Sequence, residues 1–340
     1  MTVPPADGQD PPDRPDRPER PERPGVSTFT IEGRSAPGLF VVGWLATLVG
    51  LGAVVVALMA AERPAVILLV GGLIVLSVGL VAGAGGQAIE RRARGGRNYV
   101  GPSPFLVFAA AIPISSLFGI GAGVALVALG VPIDGPIAAL LSVSLQAIVY
   151  AGLIRLLVVD GGSLSWADMR ITRPTSIAAM EFVLGAGWAL PVIIATLPVA
   201  VLISQFVPSP PPSPLPATGN LGGLLLHLLA GAIVAPLGEE VLFRGFATTA
   251  WIRDMGVTRG LVRAALFFAV AHVLTISGVS AGQAIGAAIA AFIGRIPVAL
   301  ALGYLFIRRE TIWAPLGLHA AFNALLLIFQ EVAARSVPGV

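Results

Sequence analysis

The chain has no cysteine and no lysine, and only 11% of its 340 residues are charged. Without cysteine it can form no disulfide, thiolate metal site or cysteine nucleophile. Without lysine, all 21 basic residues are arginine, and the net charge of +3 is too small for a nucleic-acid-binding surface. The shortage of charge also excludes a soluble domain, since globular proteins carry about 25% charged residues. In its place are a 56% hydrophobic composition, a mean hydropathy of +0.89 and repeated apolar runs long enough to span a bilayer. The expected fold class is therefore all-α, a polytopic transmembrane bundle of about eight or nine helices.

Residues 1–36 form a separate regime with 8 Pro, 7 acidic residues and 5 Arg. Proline at about every third position forbids a regular helix, and nothing apolar is available to bury, so a disordered tail is expected. It lacks the short apolar core and small-residue cleavage site of a signal peptide. Five apolar spans follow within 37–207, at about 38–61, 65–88, 103–130, 136–159 and 177–205. After a Pro-rich loop, 208–220, the region 221–333 holds spans at about 221–251, 261–276, 281–307 and 312–333. The seventh of these is short, and the eighth is interrupted by Arg295 and Pro297.

Arginine alternates between the loops. Arg91, Arg92, Arg94 and Arg97 follow the second span, Arg155, Arg170 and Arg173 the fourth, Arg253, Arg259 and Arg263 the sixth, and Arg308 and Arg309 the eighth. The intervening loops have none, apart from Arg63 beside Glu62 in the first hairpin. Short cytoplasmic loops accumulate arginine, which predicts a cytoplasmic amino terminus. The Lys-free, Ala/Gly/Arg/Pro-rich composition fits a GC-rich bacterial genome, hence a plasma-membrane location.

Ionisable residues inside hydrocarbon are costly and usually face a cavity or the bundle interior. Here they gather in the last four spans. Glu239 and Glu240 are adjacent, and Arg244 lies four residues beyond Glu240 on the same helical face, with Glu239 rotated by about 100°. One acid can pair while the other stays free to act as a general base. Phe268 and His272 share a face in the seventh span, as do His319 and Asn323 in the ninth. Measured from Arg253, Arg259 and Arg309, Glu240 and His272 lie 13 residues deep and His319 ten, so all three fall in one layer about 15 to 20 Å from the same side.

Taken singly, each group has a plain structural reading: a solvated acid pair at a helix end, or a hydrogen-bonded histidine between helices. His227, twelve residues before Glu239, is the expected structural histidine, and Glu181 lies near enough to the interface to reach it. Arg295 could line a cavity and hold a substrate carboxylate, or pair with an acid.

The order Glu-Glu-x-x-x-Arg, Phe-x-x-x-His and His-x-x-x-Asn, with Trp313-Ala-Pro before the last motif, resembles the CPBP intramembrane proteases, the group of CAAX prenyl endopeptidases and bacteriocin-processing or immunity proteins. The likeness covers about 221–328, with a loose echo in Leu164-Ser-Trp-Ala-Asp-Met-Arg. It implies hydrolysis of a peptide bond in a membrane-associated peptide or protein. Glu239 and Glu240 would be the diacid, with Glu239 activating water. His272 would help hold that water or a metal, His319 and Asn323 would stabilise the oxyanion, and Arg244 would orient the diacid. Glu240, His272 and His319 could also supply three ligands to a zinc ion, or the same residues could position water without one; the sequence leaves both open. The rivals are an inactive scaffold or bacteriocin immunity protein, and a secondary transporter, against which stands the absence of a matching diacid or histidine motif in the first half.

Overall fold

A computed structural model of the chain describes residues 30–60, 64–207, 213–274, 276 and 280–336. Most of the expected tail, the Arg63 and Glu62 pair and part of the Pro-rich loop lie outside them. The described residues form nine helices: α1 (Pro37–Met59), α2 (Pro64–Arg94), α3 (Pro104–Ala128), α4 (Pro136–Val159), α5 (Ser176–Ser204), α6 (Leu221–Met255), α7 (Val257–Ala271), α8 (Ala281–Arg309) and α9 (Trp313–Ser336). Among them eight are long and apolar enough to cross a membrane, and the chain is an integral membrane protein. The exception is α7, whose 15 residues reach about 22 Å, short of the roughly 20 residues a span needs.

Local chemistry sets the helix starts. Proline occupies the first turn of α1, α3 and α4, where its missing N–H costs nothing. The side chains of Thr175, Asn220 and Ser280 accept the backbone N–H three residues on at the heads of α5, α6 and α8. Gly256, at φ 84°, separates α6 from α7 in a backbone conformation that favours glycine, so α7 begins four residues earlier than the hydrophobic run suggests.

The helices pack in a chain, α1 on α2, α2 on α3 and α3 on α4, and then around α6, which touches α4, α7, α8 and α9. In lipid there is little hydrophobic gain in joining two apolar helices, so close van der Waals packing has to supply the association. Between α5 and α9 this is extreme. A Cβ on Gly185 would strike the Ala314 carbonyl, and one on Gly317 the Phe182 carbonyl. Around α6 an aromatic cluster fills the space, with Phe243 lying 5.2 Å from Phe267 and 5.1 Å from Phe268, ring centre to ring centre.

The arginine-bearing segments meet at one end. Arg34 pairs with Glu90, Arg97 with Asp254, and Arg309 with Glu181, while Arg92 bonds Ser163 and Arg253 bonds Asp168. Glu181, expected to reach the interface, is paired with Arg309 at this end. The Leu164–Arg170 segment is a brace beneath the site. Ser165 and Asp168 exchange hydrogen bonds, Met169 is fully buried, and Arg170 donates to the Phe306 carbonyl at 2.7 Å. Hydrogen bonds from Ser165, backbone first and hydroxyl second, hold the Asp168 carboxyl below its ordinary value, and Arg253 adds to the effect.

Candidate active site

Glu239 and Glu240 sit at the middle of α6, where its backbone twice leaves the α register for π turns, at Leu229–Val234 and Glu240–Thr248. Such turns concentrate at functional sites because they leave backbone groups unpaired. The first leaves one such group for a traceable reason. The Ala235 N–H bonds the Ala230 carbonyl, five residues back, so the next donor in that register would be residue 236, reaching the Gly231 carbonyl. Residue 236 is proline and has no N–H. The Gly231 carbonyl instead accepts the side-chain amide of Asn323 at 2.8 Å, which ties α9 to α6.

The two acids divide as their rotation suggests. Glu240 is fully buried and its Oε1 faces Arg244 at 3.1 Å. Arg244 also stacks on Phe268, with its guanidinium carbon 4.1 Å from the ring centre. The same Glu240 oxygen lies 2.8 Å from Nδ1 of His319. A carboxylate paired with arginine only accepts, so Nδ1 of His319 donates and its Nε2 is presented on the opposite side of the ring. His272 is set in the same way: its Nδ1 lies 2.7 Å from the Phe268 carbonyl, which can only accept.

Both Nε2 atoms converge on the other acid, with Glu239 Oε2 3.5 Å from that of His272 and 3.6 Å from that of His319. Among the described residues this oxygen makes no hydrogen bond of its own. The Glu239 and His272 side chains are 18% and 24% exposed, against 0% for Glu240 and 5% for His319, so the cluster has an open edge and a closed one. Glu239, Glu240, Arg244, His272 and His319 are therefore brought together from α6, α9 and the end of α7.

The residues named as zinc ligands meet less well. Glu240 turns toward Arg244 and the far ring nitrogen of His319, away from the point at which the two Nε2 atoms converge. Among the described residues no group of three acids and imidazoles has the spacing to hold a metal ion. Glu240, His272 and His319 do not fit a zinc site of the expected kind. Asn323 stands one helical turn beyond His319, with one amide hydrogen engaged on Gly231. His227 is buried in the first turns of α6, outside the cluster. Arg295 donates to the Ala291 carbonyl at 3.1 Å and lies on the inward stripe of α8 marked by Ala291, Val298 and Leu302.

Residues 221–325 match the model of the family described as type II CAAX prenyl endopeptidase Rce1-like. The matched segment runs from the head of α6 into α9 and contains every residue of the cluster. It is consistent with a CPBP family intramembrane protease and supports a protease of the CAAX type. No curated protein and no solved structure matches the chain.

Proposed function

We propose that the chain is an intramembrane endopeptidase that cleaves a membrane-associated peptide or protein with water activated by Glu239. The observation that carries this reading is the Glu239 oxygen, without a hydrogen bond of its own, facing two histidine nitrogens while its neighbouring acid is occupied by Arg244. An acceptor in that position takes a proton from water as the water oxygen attacks the scissile carbonyl carbon, and returns it to the departing amine nitrogen when the C–N bond breaks. His272, on the open edge, helps to hold the water. With Glu240 fixed on Nδ1, a proton on Nε2 makes His319 an imidazolium that donates to the oxyanion, the arrangement by which a buried carboxylate supports a catalytic histidine elsewhere. The second amide hydrogen of Asn323 is available to assist. Arginine accumulation supports a cytoplasmic Arg-rich end, toward which the site would open, and the Lys-free composition supports a bacterial plasma membrane.

The test is hydrolysis of membrane-associated peptides by purified protein in lipid vesicles, with products read by mass spectrometry. Glu239→Gln keeps the size of the side chain and removes the base, so cleavage is expected to fall by about 10²- to 10⁴-fold. A chelator is expected to leave turnover unchanged. Equal turnover in Glu239→Gln would overturn the proposal, and a chelator-induced loss that zinc restores would overturn the metal-free form of it.

A further inference from the structure

The outer face of α7 carries a groove that the proposed reaction does not use. It lies between α7 and the head of α3, has a volume of about 490 Å³, and is walled by Phe105, Val262, Leu266 and Val270 with Arg259 and Arg263 at one end. We propose that this groove binds an anionic phospholipid of the bilayer, with the headgroup phosphate on Arg259 and Arg263 and an acyl chain along the apolar wall.

Three observations support that occupant. Val262, Leu266 and Val270 recur every four residues, making a strip about 12 Å long that runs from the arginines toward the membrane interior. These three and Phe105 are 40% to 46% exposed, so among the described residues no other helix covers the strip. At its head, the Arg263 guanidinium lies over the touching rings of Phe105 and Trp251, 5.1 and 5.0 Å from their centres. Contact with both rings holds the cation at the head of the groove, where its N–H groups can meet phosphate oxygens, the planar match that arginine offers.

The local charge is not balanced by protein. Among the described residues neither Arg259 nor Arg263 has a hydrogen bond or an acidic partner. The nearby acid, Asp254, is paired with Arg97 at 3.4 Å, and Arg91 adds a further cation close to Arg263. Basic pockets between transmembrane helices near the surface are suited to anionic headgroups. The site is joined to the cluster through a single helix. Phe267 packs under the groove on Trp251 and Phe243, while the next residue, Phe268, carries Arg244 and leads to His272. A bound lipid would brace the helix that ends at His272.

The test needs no peptidase activity. Purified full-length protein in neutral detergent is titrated with dioleoylphosphatidylglycerol or dioleoylphosphatidylcholine and followed by native mass spectrometry and thermal melting. Phosphatidylglycerol is expected to bind about tenfold more tightly and to raise the melting temperature more. Arg259→Gln, which removes no aromatic contact, is expected to weaken that preference, and the double variant with Arg263→Gln to abolish it. Leu266→Trp, which fills the groove and spares both charges, is expected to remove the bound lipid. Equal binding of the two lipids, or an undiminished preference in all three variants, would overturn the assignment.

Discussion

Pro236 links an ordinary rule of backbone chemistry to the placement of a site residue. It removes the donor that the Gly231 carbonyl would need, and Asn323 supplies one from another helix. Asn323→Ala is expected to destabilise the protein by about 1–3 kcal/mol, the cost of an unsatisfied buried acceptor. Pro236→Ala restores a backbone N–H, so in that background the same substitution should cost markedly less. Thermal melts of the four proteins check both statements, and equal losses in the two backgrounds would contradict them. Arg244 is the other sensitive position. Its removal strands the Glu240 carboxylate in a dry interior, and Arg244→Ala is expected to cost about 3–5 kcal/mol on the same measurement. At this scale the sequence was informative about pairs within one helix: Glu240 and Arg244 stand four residues apart and do meet. It was silent about which nitrogen of His319 meets Glu240, and about the partner of Asn323, because both depend on how α9 docks against α6. It left zinc ligation by Glu240, His272 and His319 open beside a metal-free site, because residue spacing does not show that Glu240 turns toward Arg244.

At the level of helices, hydropathy located most boundaries to within a few residues, because long apolar runs have few alternatives in a bilayer. Proline inside α3 and α5 did not disturb that reading, and α8, read as interrupted at Arg295 and Pro297, runs unbroken through both, since membrane helices tolerate proline. The π turns of α6 left no such trace in periodicity, although Pro236 was a local signal. The close crossing of α5 and α9 predicts a steric test. Gly317→Val places a branched side chain against the Phe182 carbonyl, and is expected to force the helices apart and lower both the melting temperature and cleavage. The Ser165–Asp168 turn gives a pH-dependent one. Because the folded-state pKa of Asp168 is depressed, its contribution to stability is present above the unfolded value of about 3.8 and is lost as pH falls through the lower folded value. The melting-temperature difference between the wild type and Asp168→Asn should therefore be largest near neutral pH and shrink below about pH 4. A gap that widened on acidification would contradict that sign.

For the whole molecule, arginine alternation and equal depth were the two long-range statements available from the sequence alone. The arginine-bearing loops do gather at one end, and the acids of α6, His272 at the end of α7 and His319 of α9 do lie within reach of one another. Their convergence was legible because a bilayer turns residue count into depth; their side-chain geometry was not. Deleting residues 1–29 is expected to leave peptide cleavage within about twofold of the full chain, since no group of the cluster lies there, and a lost activity would favour a recruiting role for the tail. The central claim is that Glu239 and His319 act in one transition state, Glu239 on the attacking water and His319 on the oxyanion it creates. Groups that act as a unit lose their effect together, so rates should be compared for the wild type, Glu239→Gln, His319→Ala and the double variant on one peptide. The double variant is expected to be no slower than the slower single variant, within about threefold. Losses that multiply, or single variants as fast as the wild type, would contradict the claim.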